Sequence, residues 1–540
     1  MPPAKLSEYG SIPVANTVTD EAAATDPNIS WVQAHQVRGD YMFASVSETP
    51  DEKFAGTGFA PAETLPSSFS PKFRDVPFGL LFLAHLAVMG WLGSKSGTWH
   101  GLLSDHLNPS IGAQDMVYII GGSLVISFLV NLGLGIVTAR FPEFAISTCL
   151  IASILNSIVI SVVLVLTVPS ILTFLLCFLI IMTSGWYVRT IQWFIPFSAA
   201  TLKLGLKGLT ANWGTYVVSI LLAGAGVAFS VFWVYVANGI GCIGRVERVI
   251  DYEYDPVSDG NYHYKRRIDG KIFLLFPMLI SLFWTITVLM NISQTTVAGV
   301  IGTYAFDKPS ASSCCSRGVT QSLCRSLTNS FGSICFGSLL NAILSALRVL
   351  AELARESAIE DGRSSNDDEC ACCLACVFCC VQCILSCIED LVQYFNQWAF
   401  IFVGVYGCGF LESGELVLNL FEERGCTAIL SDSLARYVLV AMVIFSVALC
   451  GIFGALLAAF KVVSFSVWAT VGISAFVGFI ISAIMVNKIQ GAVKAIIVCY
   501  VDHPSQMHKC HPADTEAMAS AIALVFPEAT HFNVCHSVVV

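Results

Sequence analysis

From residue 76 onward the chain keeps returning to apolar runs long enough to cross a bilayer. A hydrocarbon core of about 30 Å takes roughly 20 residues of helix at 1.5 Å per residue. Runs of that order lie near 76–93, 115–137, 144–166, 170–188, 213–238, 272–298, 328–350, 398–420, 434–460 and 462–486. Backbone in lipid must satisfy its own hydrogen bonds, so the runs predict an all-α, polytopic membrane helix bundle of about ten transmembrane helices. The shorter amphipathic stretch 487–501 is expected to lie along the interface.

Composition agrees. Of 540 residues, 55% are hydrophobic and 12% charged, against roughly 25% charged in a soluble domain. The formal charge of −10 is thinly spread, and no basic stripe suggests nucleic acid. Residues 1–71 are polar, rich in Pro, Ala and Thr, and lack the plan of a signal peptide, so a disordered cytosolic tail is expected there. A transmembrane transporter domain over 72–502 and a short cytosolic C-terminal tail over 503–540 complete the expected organisation.

Basic residues set the expected orientation. Lys72 and Arg74 precede the first run, which puts the N-terminus inside; Arg140, Arg189, Lys203 and Lys207 then fall inside by alternation. The pattern weakens at 239–271, an exterior loop that carries Arg245, Arg248, Lys265, Arg266, Arg267 and Lys271. Alternation also puts 351–397 outside, whereas its cysteines favour the cytosol. Either a segment between 298 and 420 is re-entrant or the count is off by one.

The sixth run, "FWTITVLMNISQTTVAGVIGTYAF" over 283–306, begins like a lipid-facing helix and then fills with amides and hydroxyls. On a helix Trp284, Asn291 and Thr295 share one face, and Gln294 lies on the adjacent strip. That side must look into the bundle or a wet cavity. Two roles fit it: hydrogen-bonded glue between helices, or the wall of a substrate path. The following "VAGVIG" is a flexible or close-packed end.

Aromatic residues crowd the middle runs, among them Trp213, Trp233, Tyr235, Phe283, Trp284 and Tyr406. A quaternary ammonium donates no hydrogen bond, so ring faces are its natural partners, each worth about 0.5–2 kcal/mol. The competing explanation is an interfacial aromatic belt. Among the few charges, Glu412 is a candidate complement for a cation, and Arg348 and Glu352 form an i,i+4 pair near a span end.

In "CACCLACVFCCVQCILSC", Cys372, Cys376, Cys379, Cys383 and Cys387 step by four and three into one stripe, with Cys380 beside it. On a cytosolic, membrane-apposed helix, Cys372, Cys376, Cys379, Cys380 and Cys383 are lipidation candidates. Packing as small hydrophobes and thiolate metal binding are the alternatives. "CYVDHPSQMHKCHP" gathers zinc-type ligands at a spacing that matches no standard site. No metal or cofactor is expected. The chain has no P-loop, H-E-x-x-H or G-x-S-x-G motif, and is expected not to be an enzyme.

Several of these stretches stand in a familiar order. The run 283–306, then "SFGSICFGSLLNAILSALRVL", then the Cys-rich segment and "YFNQWAFIFVGVYGCGFLESGELVLNL", resemble the choline transporter-like family of solute carriers; "IPFSAATLK" and "VCYVDHP" fit its order too. The short loop after the first run and the brief tail resemble its fungal branch. Where animal members tend to have a small residue and a base, this chain has "ESGE". The resemblance covers roughly 72–530 and implies sodium-independent movement of choline, or in some members ethanolamine, across plasma or organellar membranes. It implies roles for Phe283, Trp284, Asn291, Gln294 and the run Gly332–Leu339. The resulting expectation is a plasma-membrane transporter of a small, choline-like organic cation, working by alternating access or facilitated diffusion, with both termini cytosolic. Its expected substrate-binding residues are Phe283, Trp284, Asn291, Gln294, Thr295, Trp233, Tyr406 and Glu412. The expectation from another class is a non-transporting membrane scaffold or lipid-interacting protein with an acylated Cys-rich helix.

Overall fold

The structure, a computed structural model, describes residues 73–95, 113–239, 272–364 and 368–525. Among these residues ten helices are long and apolar enough to cross a membrane, and the all-α bundle is what the apolar runs predict. The expected tail 1–71, the bases between 245 and 271, and the end of the C-terminal tail lie outside the described residues.

In chain order the helices are α1 (Val76–Lys95), α2 (Ala113–Arg140), α3 (Pro142–Thr167), α4 (Ile171–Ile191), α5 (Ile195–Ala211), α6 (Gly214–Gly239) and α7 (Ile272–Phe306). They continue with α8 (Arg317–Leu327), α9 (Phe331–Ser364), α10 (Asp368–Tyr406), α11 (Phe410–Ala459), α12 (Val467–Asp502), α13 (Pro504–Cys510) and α14 (Pro512–Val525). Helix starts follow local chemistry. Ser170, Ser316 and Ser466 each accept a hydrogen bond from the backbone N–H three residues on, and Pro142, Pro196, Pro504 and Pro512 open helices where a missing N–H costs nothing.

α7 is the hub, with α6, α8, α9, α10 and α12 packed around it. α11 and α12 form a long hairpin, and α2 crosses both. There Asn131 Nδ2 donates to Ser482 Oγ at 2.8 Å and Ser446 Oγ at 3.2 Å, a polar clasp inside the bundle. α3 and α4 lie outside this core. Ile151, Leu155, Val159 and Val163 form one exposed apolar stripe along α3, and Leu172, Leu175, Phe178 and Leu179 are likewise exposed on α4. Apolar surface of this extent belongs against lipid tails.

Three expectations change. The eighth crossing is not 398–420: the helix instead begins at Asp368, carries the cysteines, and ends at Tyr406. Gly407, with φ +74, breaks it, because a left-handed residue cannot continue a helix and glycine adopts that conformation without strain. The expected loop 351–397 is therefore mostly a helical hairpin of α9 and α10. Second, 487–501 is not interfacial. It continues α12 unbroken, and Ile489, Ala492, Val493, Lys494 and Ala495 through Cys499 are buried. The bases that looked amphipathic point into protein. Third, Arg348 turns to Glu389 of α10 at 2.8 Å rather than to Glu352. Residues 503–525 form α13 and α14, and α14 lies on α5, where Lys207 Nζ meets Asp514 Oδ1 at 2.6 Å.

Candidate functional site

The polar face of α7 turns inward. Trp284 is 4% exposed and its Nε1–H donates to the Cys335 carbonyl of α9 at 2.9 Å. Phe82 of α1 meets its ring edge-on at 5.1 Å, and His85 lies 5.2 Å away, tied to Ser281 Oγ at 2.8 Å. Two turns on, Asn291 Nδ2 donates to Ser338 Oγ at 2.8 Å. Thr295 Oγ1 donates to Ser326 Oγ of α8 at 3.0 Å, and Gln294 Nε2 to the Gln397 carbonyl of α10 at 3.3 Å. Phe283 is half-buried beside this face. Asn291, Gln294 and Thr295, which looked wrong for lipid, thus each have a partner on another helix, while Thr296 Oγ1 donates to the Ile292 carbonyl of its own helix.

Small residues let the helices approach. A Cβ on Gly404 of α10 would stand 2.6 Å from the Thr295 carbonyl oxygen, and one on Gly299 would stand 2.9 Å from the Gly404 carbonyl oxygen. "VAGVIG" is therefore the close-packed alternative, not the flexible one. The Arg325 guanidinium of α8 donates to that same Gly404 carbonyl.

The other expected residues are engaged elsewhere. Trp233 donates its Nε1–H to the Met278 carbonyl at 2.7 Å, in a cluster with Met89 and Val236. Tyr406 donates its hydroxyl to Asp502 Oδ2 at 2.7 Å. Glu412 accepts from the Gly409 N–H at 3.2 Å and pairs with Arg74 at 3.4 Å, so it complements a cation supplied by the chain itself. Beside it, Asp75 Oδ2 accepts from Ser333 Oγ at 2.6 Å and from the Phe410 N–H at 2.9 Å, fastening the start of α1 to the starts of α9 and α11.

Sequence reasoning missed a deeper polar cluster where α10, α11 and α12 meet. Lys494, fully buried, donates to Gln397 Oε1 at 2.7 Å and lies 3.7 Å from Asp432 Oδ2, also fully buried. Its ammonium stands 4.9 Å from the Tyr394 ring centre and 5.3 Å from that of Trp398, inside cation–π range. Arg436 reaches Asp432 at 3.3 Å and covers Tyr394 at 5.5 Å. Nearly two turns earlier on α12, Lys488 Nζ donates at 2.5 Å to Ser293 Oγ, which Ser219 of α6 shares at 2.7 Å. Through Gln397, which bonds both Gln294 and Lys494, the α7 face and this cluster form one connected polar seam. The available signal was two lysines and one aspartate inside otherwise apolar stretches.

A shallow groove of about 290 Å³ lies away from this seam, among Leu150, Ile154, Tyr187 and Tyr437. It opens on the apolar side formed by α3 and α4.

A family model described as "Plasma-membrane choline transporter" matches residues 171–505, which include the α7 face and the Lys494 cluster. The chain belongs to the choline transporter-like family. Proteins named PNS1 are similar: that of Mycosarcoma maydis is 27% identical over 81% of this chain and 78% of its own, and that of Kluyveromyces lactis is 24% identical over 86% and 84%. A CTL-like protein of Dictyostelium discoideum is 28% identical over 45% of this chain and 40% of its own. The protein is thus a multi-pass membrane protein of a transporter family, and its seam is where a choline transporter-like chain of this sequence concentrates buried polarity.

Cys376, Cys379, Cys380, Cys383 and Cys387 are exposed on α10, while the side chain of Cys372 lies outside the described residues. From Cys376 to Tyr406 the candidate span measures 31 residues, about 45 Å at helical rise. Arg74 and Asp75 sit at the Tyr406–Phe410 end. A cytosolic N-terminus and a cytosolic acylated stripe therefore claim opposite ends of one crossing helix.

Proposed function

We propose that the protein moves a small organic cation of the choline type across the plasma membrane, by alternating access around the seam of α7, α9 and α10. The observation that carries this reading is the inward face of Trp284, Asn291, Gln294 and Thr295, which places an aromatic ring and amides together inside the membrane. In the conformation described here the face is closed on α8, α9 and α10. Transport requires these bonds to exchange for substrate contacts, a modest cost because each net hydrogen bond is worth about 1 kcal/mol. The chain has no P-loop, so a gradient of the substrate or of a coupling ion supplies the driving force.

The same bonds favour a second reading, in which the amides are interhelical glue in a membrane scaffold. Uptake of labelled choline into proteoliposomes separates the two. Wild type is expected to take up choline, and Trp284→Ala and Asn291→Ala to lose most of it while remaining folded. Absence of uptake by folded wild type removes the choline reading. Equal uptake by all three moves the site off α7.

We also place the N-terminus in the cytosol, from Lys72 and Arg74 ahead of α1. An impermeant thiol reagent applied to intact cells is then expected to reach Cys376, at the far end of α10. Protection of Cys376 until the cells are opened, with a palmitoyl group on Cys380, would reverse the orientation and restore the acylation idea.

A further inference from the structure

α1 covers Trp284 from the lipid side. Phe82 and His85 lie against the indole, while Leu80, Leu81, Leu83 and Val88 stand exposed on the outer face of the same helix. α1 packs chiefly against α9 and α6, and the lipid tails outside it do not hold a helix in place. Its two ends are fastened by opposite chemistry. At the Lys95 end the anchor is apolar: Met89 and Leu92 pack with Trp233, Val236 and Met278, and Phe232 fills the notch at Gly93, where a Cβ would stand 2.7 Å from its ring. At the Val76 end the anchor is polar. Asp75 Oδ2 accepts from Ser333 Oγ of α9 at 2.6 Å and from the Phe410 N–H of α11 at 2.9 Å. Arg74 donates its backbone N–H to the Asn329 carbonyl at 3.0 Å, and its guanidinium meets Glu412 at 3.4 Å. The approach is as close as glycine permits, because a Cβ on Gly332 would collide with the Arg74 and Asp75 carbonyl oxygens. Asp75 also holds φ +51, a left-handed conformation that a residue other than glycine keeps only while its surroundings impose it.

We propose that α1 is a lid on Trp284, hinged at its Met89–Gly93 end and latched by Asp75, and that the α7 face opens toward the side of the membrane on which Asp75 lies. The difference between the two anchors sets the direction. Arg74 and Glu412 remain 35% and 29% exposed, so water reaches this end and can take over its hydrogen bonds one at a time. The interlocked side chains at Gly93 hold by packing, which water does not replace. Release of Asp75 frees its carboxylate to solvent, relaxes its φ and lets the Val76 end tilt off α9. Midway along, the bond between His85 Nε2 and Ser281 Oγ, 2.8 Å long, parts next. Trp284 keeps its own bond to the Cys335 carbonyl, so the indole stays on the wall of the opening. Asp75 acts as a positioning residue: it ties the starts of α9 and α11 to α1, and one release frees all three. The inference rests on the reading of the α7 face as the site and adds to it the moving element and the side that opens. Its test does not depend on transport.

The chain carries its own probe. Cys335 is fully buried on α9 beside Trp284, and Cys450, fully buried where α11 meets α2, serves as the control. The full-length protein in sealed vesicles of either orientation is treated with an impermeant maleimide, and alkylation of each cysteine is read by peptide mass spectrometry. Protease digestion identifies the face that bears the N-terminus. Asp75→Ala is expected to raise the rate at Cys335 about tenfold or more over wild type, because two bonds to a charged group are lost. The rise is expected only for reagent on the N-terminal face, with Cys450 unchanged. Asp75→Asn keeps an acceptor and tolerates the left-handed backbone, and is expected to stay near wild type. No rise at Cys335, a rise from the opposite face, or an equal rise at Cys450 overturns the lid. An asparagine variant as open as the alanine one overturns the latch. If Asp75→Ala does not fold, Ser333→Ala removes a single latch bond and leaves the backbone at 75 alone; a rise of about two- to threefold with the same sidedness is expected, and an unchanged rate overturns the proposal. Choline uptake by wild type beside a Cys335 that answers to neither variant removes the lid and leaves the transport reading. No uptake beside the expected response refutes transport and leaves the lid standing.

Discussion

The hairpin of α3 and α4 and the central helix α7 would look alike to any scan for apolar length, yet they are built to opposite ends. Of the most apolar window of Pro142–Thr167 only 11% is buried, against 39% for Leu275–Phe306. The peripheral pair carries its large side chains outward and bonds its hydroxyls to its own backbone, as Thr167 does to the Val163 carbonyl and Thr183 to that of Leu179. α7 sends Trp284, Asn291, Gln294 and Thr295 to other helices. In a bilayer the lipid tails are as apolar as leucine, so hydrophobicity does not hold one helix to another. Close packing and shared polar contacts do. Of these two elements, the buried one is therefore the one whose polar side chains reach other helices.

The most severe way to break that contrast is to strand a charge in the polar seam. Asp432→Ala leaves Lys494 buried with no carboxylate, and Asp432 with its partner lies in the least exposed part of the protein. Removal of one member of a buried ion pair costs about 3–5 kcal/mol. The unfolding midpoint of the purified protein is expected to fall sharply, or the protein to fail to accumulate. Leu175→Ala on exposed α4 is expected to change it little. Similar stability of the two variants would mean that the seam is not what holds the helices together.

A smaller effect, with a sign that differs between the regions, comes from glycine. Gly404→Ala in the seam drives its methyl against the Thr295 carbonyl at 2.6 Å and the Ala298 Cβ, also at 2.6 Å. Overpacking of this kind costs about 1–3 kcal/mol. Gly185→Ala on α4 meets nothing within 4 Å, so it gains helix propensity, worth up to about 1 kcal/mol. Thermal unfolding of the two variants should shift in opposite directions. Shifts in one direction would show that α4 packs against a partner in the membrane.

The contrast also explains what was legible in the sequence. Ten apolar runs announce ten helices, because length and composition suffice for that. The inward turn of α7 was legible as well, since Asn291 and Gln294 have nowhere else to go. What a run cannot show is where a helix stops when the chain merely bends. The α10–α11 boundary is one φ angle at Gly407 inside an apolar stretch, and a reading by hydropathy slid the span across it. Nor does spacing tell a snorkelling lysine from a buried one. Lys488 and Lys494 looked interfacial because their partners, Ser293, Gln397 and Asp432, are distant in sequence and meet them only when α7, α10 and α11 close. The candidate site was half visible for that reason: its α7 half follows from one helix, while its Lys494 half exists only in the assembly.

The mildest perturbation reaches the seam from outside the membrane. His511, between α13 and α14, donates its Nε2–H to the Tyr304 carbonyl at the end of α7 at 2.9 Å, with the two rings 4.8 Å apart. Burial, chiefly, pulls its pKa below the ordinary 6.5; Lys308 and Lys207 push the same way, while the bond to Tyr304 and the charge of Asp514 oppose them. The folded state therefore prefers the neutral ring, and the unfolded state binds more protons as pH falls below about 6.5. The docking of α13 on α7 and of α14 on α5 should then be undiminished above that pH and weaken progressively below it. Amide hydrogen exchange in α14, compared between pH 7.5 and 5.5 after correction for the intrinsic rate, is expected to show lost protection at the lower pH. His511→Gln keeps an N–H for Tyr304 but cannot titrate, and should flatten the response. If protection rises in acid, or the glutamine variant keeps the wild-type dependence, another group controls how this end of the polar core is held.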